Sequence, residues 1–577
     1  MQRNTTAAAD EQFDVAIIGG GAFGAAAAWD ASLRGLRTIL IEARDFGSGA
    51  SAECFKMVHG GIRYLQHADV VRLRHSAHER SAFLRIAPHL VQPLPIVIPT
   101  YGRGREGRFF LSTGARVYDA FTLDRNAGIG DPARRVPATR QLSVEAVTEL
   151  FPDLRRDNLT GAVVFDDGQM YNPARLVLAF VNSAVRAGAT ALNHAEATEF
   201  LWSGERVTGV RVRDRLHGDT FDVRAHLVLN AAGPGAEYLF EPNARFRNWK
   251  RGVFSRDAYF IINRPPTSPY ALAVQGQSRD RDAVLSRSAR HLFVVPWRQY
   301  TLVGVWHKVF AGKPESALIE EPELEEWVAE LSASYPALGL KREEIIYANC
   351  GLVPFGAANS TSQNMSFGKE SRFIDHRRKH GIEGLVTLIG IRFTTARADA
   401  AQALDLLLRQ MPKAPHPPNT ANLPLIGGDI PDTAALRSRA QLARPAHITA
   451  RSLDALLRNH GTEYTQLLAL AAENANERER LGPTDTLLAE VTHAVRSEMA
   501  VHLEDVVLRR TDMGSGSHPG ARALDMAAAR MQQLLGWSDR RRMEELSQTD
   551  QSLRRHHAVA AATTEAPALD AQPQYAT

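Results

Sequence analysis

Phe13-Asp14-Val15-Ala16-Ile17-Ile18-Gly19-Gly20-Gly21-Ala22-Phe23-Gly24 is the stretch whose reading decides the fold. Phe13 to Ile18 is a short apolar run of the kind that forms a fully buried parallel strand. Gly19, Gly21 and Gly24 fit G-x-G-x-x-G. The first glycine permits a tight turn out of the strand, the second lets backbone approach a pyrophosphate, and the third lets helix pack closely on strand. Ala22 to Arg34 is Ala-rich and helical in propensity, and Gly35 is a fitting stop. Thr38 to Ile41 reads as a second buried strand ending in Glu42, 18 residues after Gly24. A carboxylate there accepts hydrogen bonds from a ribose 2′-OH and repels a 2′-phosphate. The pyrophosphate would sit on the helix N-terminus, where unpaired N–H groups and the dipole favour anions. Strand, turn, helix, second strand and terminal Glu agree, so the stretch predicts a dinucleotide site rather than a plain glycine turn.

The remaining chain is long for one domain: 577 residues suggest about three domains, or two large ones. Cys54 and Cys350 are the only cysteines, which excludes a disulfide framework and a thiolate metal or iron–sulfur cluster. No metal site is expected. The cysteine count favours a reducing, cytoplasmic location, with peripheral attachment to the cytoplasmic membrane left open. Met1 to Gln12 is polar and lacks a secretory apolar core, and no run of about 18 apolar residues reads as a spanning helix. With 68 basic against 64 acidic residues the net charge is +4, which gives no footprint for nucleic acid. The basic residues are 60 Arg and 8 Lys, so each lysine position is informative.

Further along, Pro173 to Arg186 reads as a helix capped by Asn172. Leu90 to Pro99, broken by three prolines, reads as an extended or turn segment. Val207–Val212, Thr220–Arg224 and Leu227–Asn230 read as separate strands, and runs at 258–262, 291–296 and 301–306 predict a mainly antiparallel second sheet. Leu385 to Ile389 is another buried strand. The expected organisation is a disordered tail at 1–12 and a dinucleotide-binding unit at 13–410 interleaved with a second-sheet domain whose parts lie near 90–160 and 250–355. A Pro-rich linker at 411–430, a helical domain at 431–550 and a disordered tail at 551–577 follow. Thr486 to Arg509 is expected to be one helix. The helical domain carries 15 Arg against 17 acidic residues, which does not suggest a basic lipid-binding face.

The glycine fingerprint does not choose between FAD and NAD; the next segment does. Ser48-Gly49-Ala50-Ser51 leads to Lys56-Met57-Val58-His59-Gly60-Gly61-Ile62-Arg63-Tyr64. This resembles the FAD-dependent glycerol-3-phosphate dehydrogenase family, within the D-amino-acid-oxidase-like superfamily, where a serine-rich loop precedes K-x-x-H-G-G-x-R-Y. The resemblance recurs at Ala87–Val91, at Asp167-Gly168-Gln169, at Asn230-Ala231-Ala232-Gly233-Pro234 and at Arg496–Thr511, and spans about residues 13–545. It implies an α/β, Rossmann-like FAD-binding domain, an interleaved antiparallel-sheet substrate domain and a C-terminal all-α domain. Gly390-Ile391-Arg392-Phe393-Thr394-Thr395 is similar to the family's G-G-K-x-T-T, which opens a helix toward the flavin.

The resemblance implies FAD as cofactor, held by Gly19, Gly21, Gly24, Glu42, Ser48, Ser51, Lys56, His59, Gly60, Gly61, Ala232, Gly233, Gly390, Arg392 and Thr394. It implies Arg63, Tyr64, Arg372 and Arg392 as substrate-site residues; His59, ahead of His307, is the candidate catalytic base on residue type and expected pKa. Cys54 is read as a small filler rather than a covalent flavin attachment. The implied reaction oxidises sn-glycerol 3-phosphate to dihydroxyacetone phosphate by hydride transfer to flavin N5, with electrons passed to quinone or oxygen. The partners are thus a small phosphorylated polyol and an electron acceptor, with no nucleic acid; a homodimer is left open. Three positions depart from the family. G-V-R-P reads Gly351-Leu352-Val353-Pro354, the lysine of G-G-K is Arg392, and G-T-T-D reads Gly304-Val305-Trp306-His307. Two alternatives therefore stay open. One is a flavin enzyme for a different small hydroxy or amino substrate, with Trp306 and His307 reshaping the pocket. The other is a non-catalytic FAD-bound scaffold or partner subunit.

Overall fold

The opening stretch folds as strand Gln12–Ile18, a glycine turn, helix Ala22–Leu33 and strand Thr38–Ile41. The computed structural model describes residues 1–104, 107–241, 243–246, 249, 252–279, 289–355 and 371–559. Strand Gln12–Ile18 sits at the centre of an eight-stranded sheet, parallel to Thr38–Ile41 on one side and Thr220–Asn230 on the other. Thr190–Leu192 and Leu385–Ile389 extend the parallel set outward, and Arg372–Asp375 closes one edge antiparallel. Ten residues of helix Ala22–Leu33 are buried, including Ala22, Ala25–Ala28 and Ala31. Alanine suits this place because the helix is enclosed by the sheet and by helices Pro173–Arg186 and Ala396–Leu408. Asn172 caps Pro173–Arg186 by accepting from the Arg175 amide at 3.2 Å.

The segments read separately as Thr220–Arg224 and Leu227–Asn230 form one strand, Thr220–Asn230. Its first half pairs antiparallel with Arg206–Asp214 and alternates in burial; its second half runs between parallel strands and is continuously buried. The change of partner produces the change of sequence pattern.

The second sheet has nine strands, in the order Ile345–Phe355, Val253–Ile262, Tyr300–Phe310, Ala289–Trp297, Ala271–Arg279, Val91–Tyr101, Leu159–Met170 and Met57–Val58, with Arg140–Leu142 beside Leu159–Met170. All its pairings are antiparallel except that of Ala271–Arg279 with Val91–Tyr101. Leu90–Pro99 is thus no loose segment: Val91–Tyr101 is a full strand carrying Pro93, Pro95 and Pro99. The three share one parity, so their missing N–H groups fall on one edge of the strand. Leu159–Met170 pairs along its whole length, and the neighbour Ala271–Arg279 over only two residues.

Four expectations at the segment boundaries are corrected. Residues 1–12 contain helix Thr5–Asp10, and Arg3 pairs with Asp214 at 2.8 Å. The 411–430 segment is packed rather than spacing: Leu425 is buried and its amide donates to Ile86 O at 2.9 Å, while the Ile426 amide donates to Ser183 Oγ at 2.9 Å. The helix expected over Thr486–Arg509 ends at Ser497 and resumes in the short turns Leu503–Asp505 and Val506–Arg510. Buried charge breaks it. Glu498 turns inward to Arg175 at 2.6 Å, Met499 takes a left-handed φ of 60°, and Asp505 Oδ2 accepts from the Val501 and His502 amides. Finally, helix Asp539–Arg555 crosses residue 551, and the Val559 amide donates to Ile346 O at 2.9 Å. Among the described residues, no helix is long and apolar enough to cross a membrane.

The helical part is joined to the dinucleotide sheet by a buried ion cluster. Asp45 accepts from Arg509 Nε at 2.7 Å and from Arg510 Nη2 at 2.7 Å, and Asp505 pairs with Arg509 at 2.8 Å. All four residues are buried. Burial pushes the Asp45 carboxyl up, and the two arginines outweigh it and hold it below the usual carboxylate range. Removing one partner leaves an uncompensated buried charge. Arg510→Met should therefore cost about 3–5 kcal/mol in denaturant unfolding, and Asp45→Asn added to it should restore part of that loss.

Candidate active site

A cavity of about 1910 Å³ runs from the glycine turn to the face of the second sheet. That exceeds the roughly 300–1,000 Å³ of a single small-ligand pocket. Its walls include Gly19, Gly21, Glu42, Ser48, Ser51, His59, Gly61, Arg63, Tyr64, Ala232, Gly233, His307, Gly390, Arg392 and Thr394. The expected cofactor and substrate residues are thus mostly brought to one place.

The glycine turn leaves no room for side chains. Gly19 has φ +100°, and a Cβ there would lie 2.6 Å from Ala231 O. A Cβ on Gly24 would lie 1.8 Å from Gly19 O. Gly24 therefore lies behind the cavity and sets helix against strand, as the motif requires. Glu42 locks the turn: its Oε2 accepts from the Gly20 amide at 2.6 Å and its Oε1 from the Arg44 amide at 2.8 Å. Ser51 Oγ accepts from the Ala22 amide at 3.0 Å at the helix start. Gly390 is required for another reason, since Phe23 packs against it and a Cβ would meet the ring at 2.2 Å.

The backbone at His59 and Gly60 is clamped at three polar groups. The His59 amide donates to Thr394 Oγ1 at 3.0 Å, the Gly60 amide donates to Asp167 Oδ1, and the Tyr118 hydroxyl donates to Gly60 O at 3.3 Å. Arg80, fully buried, donates to the Tyr118 hydroxyl at 2.9 Å and to Asp167 Oδ1 at 3.3 Å. Gly60 itself lies behind the wall, where a Cβ would be 2.2 Å from Arg80 Nη1. Gly61, at φ +83°, turns the chain toward Arg63 and Tyr64. The His59 side chain is 53% accessible and lines the cavity. Burial holds its imidazole below the usual range; Asp167 opposes this, while Arg63 and Arg392 add to it.

Arg392 joins this wall by donating from Nη1 to the Tyr64 hydroxyl at 3.0 Å and to Ser76 Oγ at 2.7 Å. Across the cavity His307 Nδ1 is 2.7 Å from Asp257 Oδ1, and Asp257 also accepts from Ser255 Oγ at 2.6 Å. His291 lies near Arg63, and burial pushes it down to about 4. Val353 lines the cavity where the family pattern has arginine.

Besides Gly24 and Gly60, three expected residues lie outside the cavity wall. Lys56 is buried behind the wall, donating to the Tyr259 hydroxyl, with its Nζ 4.7 Å from the Tyr259 ring and 4.9 Å from the Trp297 ring. Burial pushes its ammonium down to about 7, and the ring faces attract the cation in the opposite sense. Its place is a structural cage rather than a cofactor contact. Arg372 sits on the outer strand Arg372–Asp375, 3.6 Å from Glu237 and near Trp249, outside the cavity. Trp306 points away too: it stacks on Trp327 at 4.9 Å and Phe260 at 5.2 Å, and donates to Glu330 at 2.8 Å. Strand alternation turns its neighbours Val305 and His307 into the cavity instead, so Trp306 does not reshape the pocket. Cys54 lines the cavity as a half-buried thiol pushed up by burial.

Asp167, Arg80, Tyr118, Ser76, Asp257 and His291 were not singled out for a role by the sequence. One signal was present: Asp166-Asp167 follows the apolar run Ala162–Phe165 inside a strand, and a carboxylate placed there must find a buried partner.

A glycine-rich turn at the carboxyl end of a parallel sheet, facing an antiparallel sheet across one large cavity, defines an FAD-type dinucleotide oxidoreductase. The family model described as FAD dependent oxidoreductase matches residues 14–396, and the C-terminal domain of alpha-glycerophosphate oxidase matches 418–542. A glycerol-3-phosphate dehydrogenase of Mycobacterium leprae is 30% identical, covering 92% of this chain and 86% of its own. One from Synechocystis is 27% identical over 96% and 97%. The glycerol-3-phosphate dehydrogenase of Bacillus halodurans, solved with FAD, shares the fold at a TM-score of 0.75 over 97% of both chains, with 22% identity. The chain belongs to the FAD-dependent oxidoreductase family, in its glycerol-3-phosphate dehydrogenase branch. The residues present fit FAD: the glycine cradle that any Cβ would fill, Glu42 on the ribose side and the Gly390 turn all face one continuous cavity. Gly24→Ala should purify with FAD content at least about tenfold below wild type, read from the 450-to-280 nm absorbance ratio. Gly35→Ala, where a Cβ meets nothing within 4 Å but φ is +78°, should keep its FAD and lose only about 1 kcal/mol of stability.

Proposed function

We propose that the chain oxidises sn-glycerol 3-phosphate to dihydroxyacetone phosphate and passes the electrons to a quinone or to oxygen. The observation that carries this reading is the cavity wall that groups Arg63, Tyr64 and Arg392 with the imidazole of His59. The two arginines bind the substrate phosphate through charge-assisted hydrogen bonds. Bound FAD supplies the two-electron acceptor. His59 takes the hydroxyl proton at Nε2, since its depressed proton affinity keeps it neutral at pH 7. The glycine and Thr394 contacts hold that loop in place.

Anaerobic bleaching of the flavin by sn-glycerol 3-phosphate, set against glycerol, lactate and amino acids, tests the substrate. Bleaching by the phosphate at millimolar levels and not by the others is the expected result; no bleaching by it would sink the reading. A second reading, a different small hydroxy or amino substrate, draws on Val353 in the wall and Arg372 outside it, which leave only Arg63 and Arg392 of the expected phosphate-site positions as arginines in the wall. Peroxide release against quinone reduction distinguishes the acceptors.

Arg392→Met should raise KM for the phosphorylated substrate about 10–100-fold. Val353→Arg should lower it by about tenfold. The acid limb of kcat/KM should lie below 6.5, because a lowered histidine pKa keeps the base form available to lower pH before it protonates. A limb at or above 6.5 would count against His59 as the base.

A further inference from the structure

The Gly60 clamp has a consequence for the proton that His59 handles. Asp167 uses one carboxylate oxygen, Oδ1, for the Gly60 amide and for Arg80 Nη1. Its other oxygen, Oδ2, faces His59 Nδ1 at 3.9 Å. Asp167 stands on strand Leu159–Met170, 97% buried, and cannot swing away without abandoning both the Gly60 amide and the Arg80 guanidinium. Arg80 is in turn held by the Asp166 carbonyl at 2.7 Å and the Tyr118 hydroxyl. The Gly60 amide and the neighbouring His59 side chain are thus referenced to the same carboxylate.

We propose that Asp167 is the positioning residue of the proton acceptor: it keeps the His59 proton on Nδ1 and leaves Nε2 as the lone-pair face toward the substrate hydroxyl. This rests on the reading of His59 as the base. A neutral imidazole has one donor and one acceptor nitrogen, and a carboxylate beside Nδ1 selects the tautomer in which Nδ1 donates. The 3.9 Å separation is longer than a formed hydrogen bond, and such contacts tighten when substrate closes the site. Arg80 is a second positioning residue, since it fixes Asp167 and offsets the charge that burial would otherwise disfavour. The charged and titratable groups around His59 are Asp167 from the strand, Arg63 and Tyr64 from its own turn, Arg392 from the Gly390 turn, Arg80 and Tyr118 behind Asp167, and His291 beyond Arg63. Lys56, on the same loop, lies behind the wall.

Asp167→Asn keeps an acceptor for the Gly60 amide and removes the charge. In the holoenzyme, the expected outcome is an unchanged flavin spectrum, a KM within about twofold of wild type, and a plateau rate of flavin reduction lower by about 10–100-fold. Its acid limb should move to lower pH, because the negative charge that raises the His59 pKa is gone. In ¹⁵N spectra of the resting holoenzyme, with His59→Ala locating the signal, wild type should show His59 protonated on Nδ1 and Asp167→Asn a mixture of tautomers. Asp167→Glu retains the charge and should keep the limb in place while losing rate, which serves if the Asn variant does not fold. In the double variant His59→Ala/Asp167→Asn the rate should equal that of His59→Ala alone. A wild-type plateau, limb and tautomer in Asp167→Asn would overturn the positioning role. His59→Ala reducing flavin at the wild-type rate would instead overturn the base assignment on which it rests.

Discussion

The approach of the Gly24 Cα to the Gly19 carbonyl is the constraint on which the rest depends. No side chain of any size fits there, so the first helix starts directly on the end of the first strand. Once that angle is set, a helix lying this close to the sheet must be built of alanine, and helices Pro173–Arg186 and Ala396–Leu408 can close over it. The cavity then falls at the carboxyl ends of four parallel strands. Gly19 follows Ile18, Glu42 follows Ile41, Ala231 follows Asn230 and Gly390 follows Ile389. Ligands of open α/β sheets collect at such ends because side chains there leave the sheet and backbone amides point outward. The residues that meet the cofactor are therefore far apart in sequence and adjacent by topology.

The helical part is held to this frame by buried charge. Asp45 lies three residues beyond Glu42, in the loop that carries the ribose-side carboxylate, and it is pinned by Arg509 and Arg510. The same loop pairs with the chain at His194, whose amide donates to Arg44 O at 2.6 Å. His194 Nε2 in turn is 3.2 Å from Asp505. The C-terminal helices are thus fastened at the rim of the nucleotide site. A buried ion cluster is poor at adding stability, since desolvation offsets most of the attraction, but it penalises every arrangement in which one partner is missing. That penalty ties the two parts into one register.

What the sequence revealed divides along physical lines. The glycine turn, the Ala-rich helix and the strands at Thr38 and Leu385 were legible because each is specified by neighbours along the chain. The strand through Pro93, Pro95 and Pro99 was not, since its pairing, from Val91 with Met170 to Tyr101 with Leu159, depends on a partner far along the chain. The break after Ser497 was hidden for a similar reason: Glu498 looks like a helix-surface residue until Arg175 is brought against it. At the site, motif residues such as His59, Arg63 and Tyr64 were found by resemblance. The alternation that faces His307 inward and Trp306 outward was not applied to that pair, and the edge position of Arg372 follows only from sheet order. Arg80 carries no motif, and Asp167 belongs to one, Asp167-Gly168-Gln169, that assigned it no role; their meaning appears when Arg80 and the Gly60 amide converge on the Asp167 carboxylate.

The exchange of lysine for arginine at 392 fits the geometry better than it fits drift. An ammonium is a point charge on a flexible stem, whereas a guanidinium is a planar fork of five donors. Arg392 holds both the Tyr64 hydroxyl and Ser76 through Nη1 alone, fixing the plane of the fork against the wall. A fork held by one corner can present its opposite edge to a dianion in a bidentate manner, which a lysine anchored to the same two hydroxyls cannot do. Val353 removes one cation from the facing strand, and the same face gains the His307 imidazole beside Asp257. On the proposed reading, recognition of the anion shifts from the second sheet to the loops of the dinucleotide sheet. There the backbone that carries Arg63 and Arg392 is braced by the same glycines and by Thr394, which hold His59, the proposed proton acceptor, as well.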